Sequence, residues 1–197
     1  MNKKILVGSI ASLVLAAMPV LGVFADTTQT DTVTVTVSPA CQLNRQSTAH
    51  NNGASRGTWS GDTLSVSIGV ATVDYNVGKS NFTVVCNNAT GYKVTVTTSD
   101  LTHSSVSGAK IPAYTGAASG EGSAYTASRT GWSPIADTGS TPTASTTKYK
   151  SGDTVKTATT NTMGTNFSVY YGVGITSTQV SGTYTSNSAA VYTCTML

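Results

Sequence analysis

The sequence has little of what most enzymes and helical proteins are built from: 10% of its residues are charged, and only two are histidines. His50 and His103 lie far apart in polar stretches, and neither has a cysteine or carboxylate at a metal-ligand spacing. The Gly-x-Ser-x-Gly pattern of a nucleophile elbow is absent. We therefore expect no catalytic residue, no metal, no cofactor and no enzymatic activity.

A long membrane span is also missing, although the chain opens on a short apolar run. Lys3 and Lys4 precede apolar residues 5–20, and small residues follow up to Ala25. The run is broken by glycine, serine and proline, and it is short for a span of about 20 residues. This is the pattern of a secretory signal peptide. We predict cleavage between Ala25 and Asp26, and a secreted or cell-surface protein without a membrane span.

Excess charge is absent from the exported part. Two of the eleven basic residues lie in the leader, which leaves nine against eight acidic residues. The aromatic residues do not alternate with basic ones over any extended stretch. Since neither a basic patch nor a stacking platform is present, we do not expect the protein to bind nucleic acid.

What the chain does have is threonine, serine, glycine and valine, without an amphipathic helical period after residue 25. Thr and Val are stiff at χ1 and favour strands. We predict one all-β domain over residues 26–197. Its weakly patterned middle, about residues 101–165, should hold two or three short strands with long loops, because a structureless loop of that length is uncommon. The strand hints there are residues 124–127 and 154–159.

Alternation is clear at residues 81–98, on both sides of an Asn/Gly-rich turn. The residues that share a face are Phe82, Val84 and Cys86 before the turn, and Tyr92, Val94 and Val96 after it. Period two on both sides of such a turn predicts a hairpin or a corner between two sheets.

Three cysteines follow the leader, and spacing alone does not fix their pairing. We favour Cys41–Cys86, because each lies beside a strand-like run. This bond would close a loop of about 45 residues, worth ~4 kcal/mol in the chain-entropy model. Cys194 is then either a buried free thiol or an intermolecular link.

Residues 30–37 alternate threonine and valine before Pro39, with Val33, Val35 and Val37 on one face. Such a strand can pair within its own domain, which is the simpler interpretation, or it can add to the open edge of a neighbouring subunit.

Aromatic residues in loop-like stretches are the candidates for surface binding of a glycan or cell wall: Trp59, Tyr125 and Trp132. For Trp132 the alternative to a binding role is packing in the core. Five aspartates mostly stand beside Gly, Ser or Thr, as turn residues do. They are Asp62, Asp74, Asp100, Asp137 and Asp153.

The order of these features resembles the secreted spore coat protein U domain and, more distantly, the chaperone–usher pilin subunits. The resemblance rests on the two strand–cysteine segments (33–41 and 82–86), the strand at 92–96, Trp132, Tyr171-Gly172-Val173-Gly174-Ile175 and Gly182-Thr183-Tyr184-Thr185. It implies an immunoglobulin-like antiparallel β-sandwich with long loops, a Cys41–Cys86 disulfide, Tyr184 near the core and residues 30–37 as a donor strand.

The function implied is that of an exported structural or adhesive surface protein, a fimbrial or coat subunit that self-associates by β-strand addition. The alternative is a monomeric secreted module that binds carbohydrate or cell wall.

Overall fold

The structure is a computed structural model that describes residues 32, 34–46, 57–60, 63–67, 73–116 and 130–197. The predicted leader and its cleavage point at Ala25 and Asp26 lie outside these residues. Within them the regular structure is entirely β, and no helix is long and apolar enough to cross a membrane. The strands are β1 Cys41–Arg45, β2 Gly57–Ser60, β3 Thr63–Val66, β4 Val73–Cys86, β5 Tyr92–Thr98, β6 Leu101–His103, β7 Lys110–Ile111, β8 Gly131–Ala136, β9 Thr154–Ala158, β10 Thr162–Gly174, β11 Tyr184–Thr185 and β12 Ala190–Met196.

The described strands form four antiparallel sheets. The largest has the order β1-β4-β10-β8, and a second has the order β12-β5-β9. A smaller sheet has the order β11-β6-β7, and β2 pairs with β3. The predicted all-β class is confirmed, and the arrangement of the sheets is consistent with a β-sandwich.

Alternation places one core cluster between the two larger sheets. Val84 and Cys86 of β4 meet Tyr92 and Val94 of β5, and all four side chains are buried. The ring of Phe82 extends this cluster: its centroid lies 5.1 Å from that of Phe167 and 4.6 Å from that of Tyr192. Apolar inner faces packed against each other are what hold two sheets together.

The stretch at residues 81–98 is a corner between these sheets, so the hairpin alternative is wrong. β4 and β5 belong to different sheets and do not pair with each other. At the corner Gly91 has φ +88° and its N–H donates to the carbonyl of Asn88 at 3.1 Å. The alternation is the same in a hairpin and a corner, because both keep the apolar face inward.

A second cluster packs the other end of the largest sheet against the β11-β6-β7 sheet. Its buried members are Val77, Ile111, Trp132, Tyr171 and Val173. Tyr184, partly buried, packs against it, next to the core as the resemblance implied. The two clusters lie at opposite ends of β4 and β10, which therefore carry the core along most of their length.

The middle of the chain holds more strand than predicted. β6, β7, β8 and β9 all lie between residues 101 and 165, and β10 begins there. The hint at 154–159 is confirmed as β9, whereas residues 124–127 lie outside the described residues. β8 contains Pro134, and its outer side bonds to residues 147–149 instead of to a strand, with Tyr149 N–H donating to the Pro134 carbonyl at 2.9 Å.

Candidate functional site

A disulfide joins Cys41, at the start of β1, to Cys86, at the end of β4, as predicted. The two residues stand directly opposite each other in the β1–β4 pair. Cys194 is a free, partly buried thiol on β12 that packs against the same cluster. Burial raises the pKa of the Cys194 thiol, so this thiol is kept protonated and unreactive.

The segment before β1 is not a strand where it is described. Residues 34–40 have no regular secondary structure, and Val33 lies outside the described residues. The side chains of Val35 and Val37 are 78% and 74% exposed. The in-domain strand predicted for residues 30–37 is therefore not formed over 34–37. Pro39 offers a reason, because it has no N–H for a ladder and β1 begins only after it.

The larger sheets have open edges among the described residues. β1, β12 and β9 each pair with a strand on one side, and β8 covers β10 only from Val169 onward. Gln46 N–H donates to the Asn81 carbonyl at 2.9 Å, so residues 81 and 83 of β4 bond to β1. By alternation, residues 82 and 84 bond to β10. The backbone groups of Asn166 consequently point away from β4, toward the side that β8 leaves uncovered.

A cleft of about 430 Å³ lies on this uncovered side, between β9 and the first half of β10. We call it the β9–β10 cleft. Its lining residues are Asp137, Gly139, Tyr149, Val155, Lys156, Asn166, Phe167 and Ser168. Most of them are polar, and they come from three strands or the segments beside them.

The carboxylate of Asp137 is fixed in place. Lys79 Nζ lies 2.7 Å from its Oδ2, and Gly139 N–H donates to its Oδ1 at 2.9 Å. Burial alone would raise the pKa of Asp137, but the hydrogen bonds from Lys79 and Gly139 outweigh it and lower the pKa. The cleft therefore holds a negative charge of defined position.

The partner of that carboxylate is itself held by an aromatic ring. Lys79 Nζ lies 4.7 Å from the ring centroid of Tyr170 and 3.4 Å from its hydroxyl. Burial would lower the pKa of Lys79, yet the hydrogen bonds to Asp137 and Tyr170 leave it raised. The ion pair is thus kept charged on both sides at neutral pH.

Tyr149 forms one wall of the cleft. Its backbone is bonded to Pro134, which anchors it beside β8. Burial, and then the nearby carboxylate of Asp153, raise the pKa of the Tyr149 phenol. The hydroxyl is therefore protonated at neutral pH and can donate a hydrogen bond.

The predicted surface aromatics are not brought together. Trp132 is only 5% exposed, and its Nε1 donates to the Ser99 carbonyl at 3.1 Å. Its prediction as a surface-binding residue is wrong, because the ring fills the second core cluster. Trp59 lies in β2 opposite Leu64; its side chain, like Tyr125, is outside the described residues.

The sequence missed the aromatic residues of the cleft. Phe167 lies in an alternating strand sequence and Tyr149 lies between two lysines, and neither pattern marks a binding residue. The two residues come close because β8 pairs with β10 only from Val169 onward and leaves the first half of β10 uncovered. Alternation within one strand does not reveal where its neighbour ends.

The described aspartates act on backbone groups, as turn residues do. Asp74, Asp137 and Asp153 accept the backbone N–H of Asn76, Gly139 and Lys150, two or three residues away. Asp100 accepts from Ala113 and Lys110, and Asp62 lies outside the described residues.

No group of three or more His, Cys, Asp or Glu that could hold a metal occurs in the described part of the chain. His103 shows why its imidazole is unavailable: Nδ1 accepts the N–H of Ser105 and of Val106, at 3.0 and 2.9 Å. Its Nε2 lies 3.0 Å from the Ser181 carbonyl. His50 lies outside the described residues.

Comparison of the chain with protein-family models, with curated proteins and with solved structures gives no match in any of the three. The class that fold and site define is a disulfide-bonded all-β protein whose sheets leave open edges and a polar cleft.

Proposed function

We propose that the protein is an exported structural or adhesive component of the cell surface, an immunoglobulin-like sandwich that serves as a fimbrial or coat subunit and assembles by β-strand addition. One observation carries the proposal: in the alternating Thr/Val segment the two valines that the structure describes, Val35 and Val37, are 78% and 74% exposed. Exposed β-branched residues at period two are suited to a strand that lacks a sheet.

Strand addition would give hydrogen-bond partners to the backbone of the donor segment and to that of the receiving sheet edge. An open edge presents unpaired backbone groups that template another strand. The open sides of β1, β9 and β12 are edges of this kind among the described residues. A donor strand would direct Val35 and Val37 inward and keep Thr34 and Thr36 toward water.

Export is supported by chemistry as well as by the predicted leader. Structural disulfides persist in oxidising compartments, and the Cys41–Cys86 bond joins two strands of the core.

Two paired variants of the exported chain, residues 26–197, test strand addition. Val35→Lys with Val37→Lys should abolish concentration-dependent assembly in light scattering, because charges would enter the receiving sheet. Thr34→Lys with Thr36→Lys adds the same charge on the outward face and should assemble nearly as the parent does.

Deletion of residues 26–38 completes the test. The truncated protein should stay monomeric with an unchanged circular-dichroism spectrum. If it has the same mass in solution and the same stability as the longer chain, or if both lysine pairs behave alike, the segment is not a donor strand.

The second candidate function, a module that binds carbohydrate or cell wall, is favoured by the β9–β10 cleft.

A further inference from the structure

We propose that the β9–β10 cleft is a binding site for a short oligosaccharide, formed by residues that no sequence motif marks. The site does not depend on strand addition, since none of its residues belongs to segment 34–37. Its volume of about 430 Å³ falls within the range of about 300–1,000 Å³ that small-molecule sites occupy.

The polar groups suit sugar hydroxyls, which both donate and accept. The Asp137 carboxylate is held by Lys79 and Gly139, and so is a fixed acceptor. Ser168 also hydrogen-bonds to this carboxylate, and the backbone groups of Asn166, which point away from β4, supply a further donor and acceptor. Such prepositioned groups lose little entropy when a ligand binds.

Two aromatic residues that line the cleft contribute its apolar part. Phe167 is fixed by stacking on Phe82, with ring centroids 5.1 Å apart. Tyr149 is anchored through its backbone to Pro134, and its protonated hydroxyl adds a donor. A sugar ring has an apolar face of C–H groups and a polar rim, which matches a cleft with aromatic and polar walls.

The lining disfavours other occupants. A donor strand with alternating valines needs an apolar groove, whereas Asp137 and Lys156 place opposite charges here. A polyanion would meet the Asp137 carboxylate, and a divalent metal would find one carboxylate already paired with Lys79. A neutral polar ligand avoids all three costs.

The test is a titration of ¹⁵N-labelled residues 26–197 with cellobiose, N,N′-diacetylchitobiose and maltotriose, followed by NMR. At least one should shift the amides of residues 137–139, 155–156 and 166–168 in a saturable way. Tyr149→Ala should weaken this binding by about tenfold or more, whereas Tyr149→Phe keeps the ring and should lose less.

Asp137→Asn is a second test variant, and Asp100→Asn is its matched control. Both carboxylates pair with a lysine at 2.7 Å, but only Asp137 lines the cleft. Asn at position 137 should weaken saccharide binding, and Asn at position 100 should leave it unchanged. The Val35→Lys/Val37→Lys variant should bind the saccharide as the parent does, which separates this test from that of assembly.

Three outcomes would overturn the proposal. The first is that none of the three saccharides shifts the cleft amides, and the second is that the shifts survive Tyr149→Ala unchanged. The third is that a synthetic Thr-Val-Thr-Val-Thr-Val peptide shifts these amides and no sugar does. The last result would assign the cleft to strand addition.

Discussion

At the scale of single residues, Trp132 shows how one side chain joins distant parts of the chain. Its ring lies in the second core cluster, and its Nε1 donates to the carbonyl of Ser99, 33 residues away. Trp132→Ala should lower the free energy of unfolding by about 3–5 kcal/mol, the usual cost of an emptied aromatic site. Chemical denaturation followed by fluorescence or circular dichroism measures this.

Trp132→Phe is the control for that loss. It keeps most of the apolar contact and removes the donor to Ser99, so it should cost less than the alanine change. A Trp132→Ala protein within about 1 kcal/mol of the parent would contradict the packing role, since surface changes rarely exceed about 0.5 kcal/mol.

Asp137 gives a pH dependence whose sign follows from its surroundings. Its folded pKa is lowered, chiefly because the hydrogen bonds from Lys79 and Gly139 outweigh the effect of burial. The unfolded chain therefore binds its proton first as the pH falls. The stabilisation is present above the ordinary carboxyl pKa and is lost as the pH falls through the lowered folded value.

Asp137→Asn should consequently flatten the fall in the urea midpoint between pH 7 and about pH 3. Asp100, whose pKa is also lowered, mainly by its hydrogen bond from Lys110, should retain its share of the slope. A slope that Asp137→Asn leaves unchanged would mean that the ion pair with Lys79 adds nothing to folding.

At the scale of elements, the corner between β4 and β5 depends on one glycine. Gly91 has φ +88°, and a Cβ there would lie 2.0 Å from the Ala158 carbonyl oxygen of β9. Gly91→Ala should therefore destabilise the protein by clearly more than the roughly 1–2 kcal/mol of a left-handed alanine. Gly108→Ala is the matched control, since Gly108 has φ +81° and open space around it.

Thermal unfolding of the two variants separates strain from collision. Equal losses would show that β9 moves aside freely and that the corner is not tightly packed. A larger loss for Gly91→Ala would show that β9 is held against the corner.

The elements that sequence predicts well are those with long alternation. Residues 82–86 and 92–96 point their apolar faces inward in both sheets, as expected, and residues 154–158 form β9. Strands β6 and β7 have three and two residues, too few for a period to appear. β8 was missed because it is buried along most of its length and contains Pro134, so its sequence shows no alternation.

At the scale of the whole molecule, the disulfide could be predicted from the sequence and the cleft could not. The Cys41–Cys86 bond was within reach because each cysteine stands beside a strand. The β9–β10 cleft was not, because it depends on where β8 stops covering β10. Which sheet a strand joins, and where its neighbour ends, are set by packing at long range and leave no local signal.

The disulfide ties the start of β1 to the end of β4. Cys41 and Cys86 are 45 residues apart in sequence, so replacing both by alanine should lower the free energy of unfolding by ~4 kcal/mol in the chain-entropy model. The variant should show a lower urea midpoint and should bind fewer equivalents of a thiol reagent than the reduced parent.

Cys194→Ala keeps the disulfide and is the control for losing a thiol. Were the double variant as stable as Cys194→Ala, the pairing of β1 with β4 would not need its covalent link.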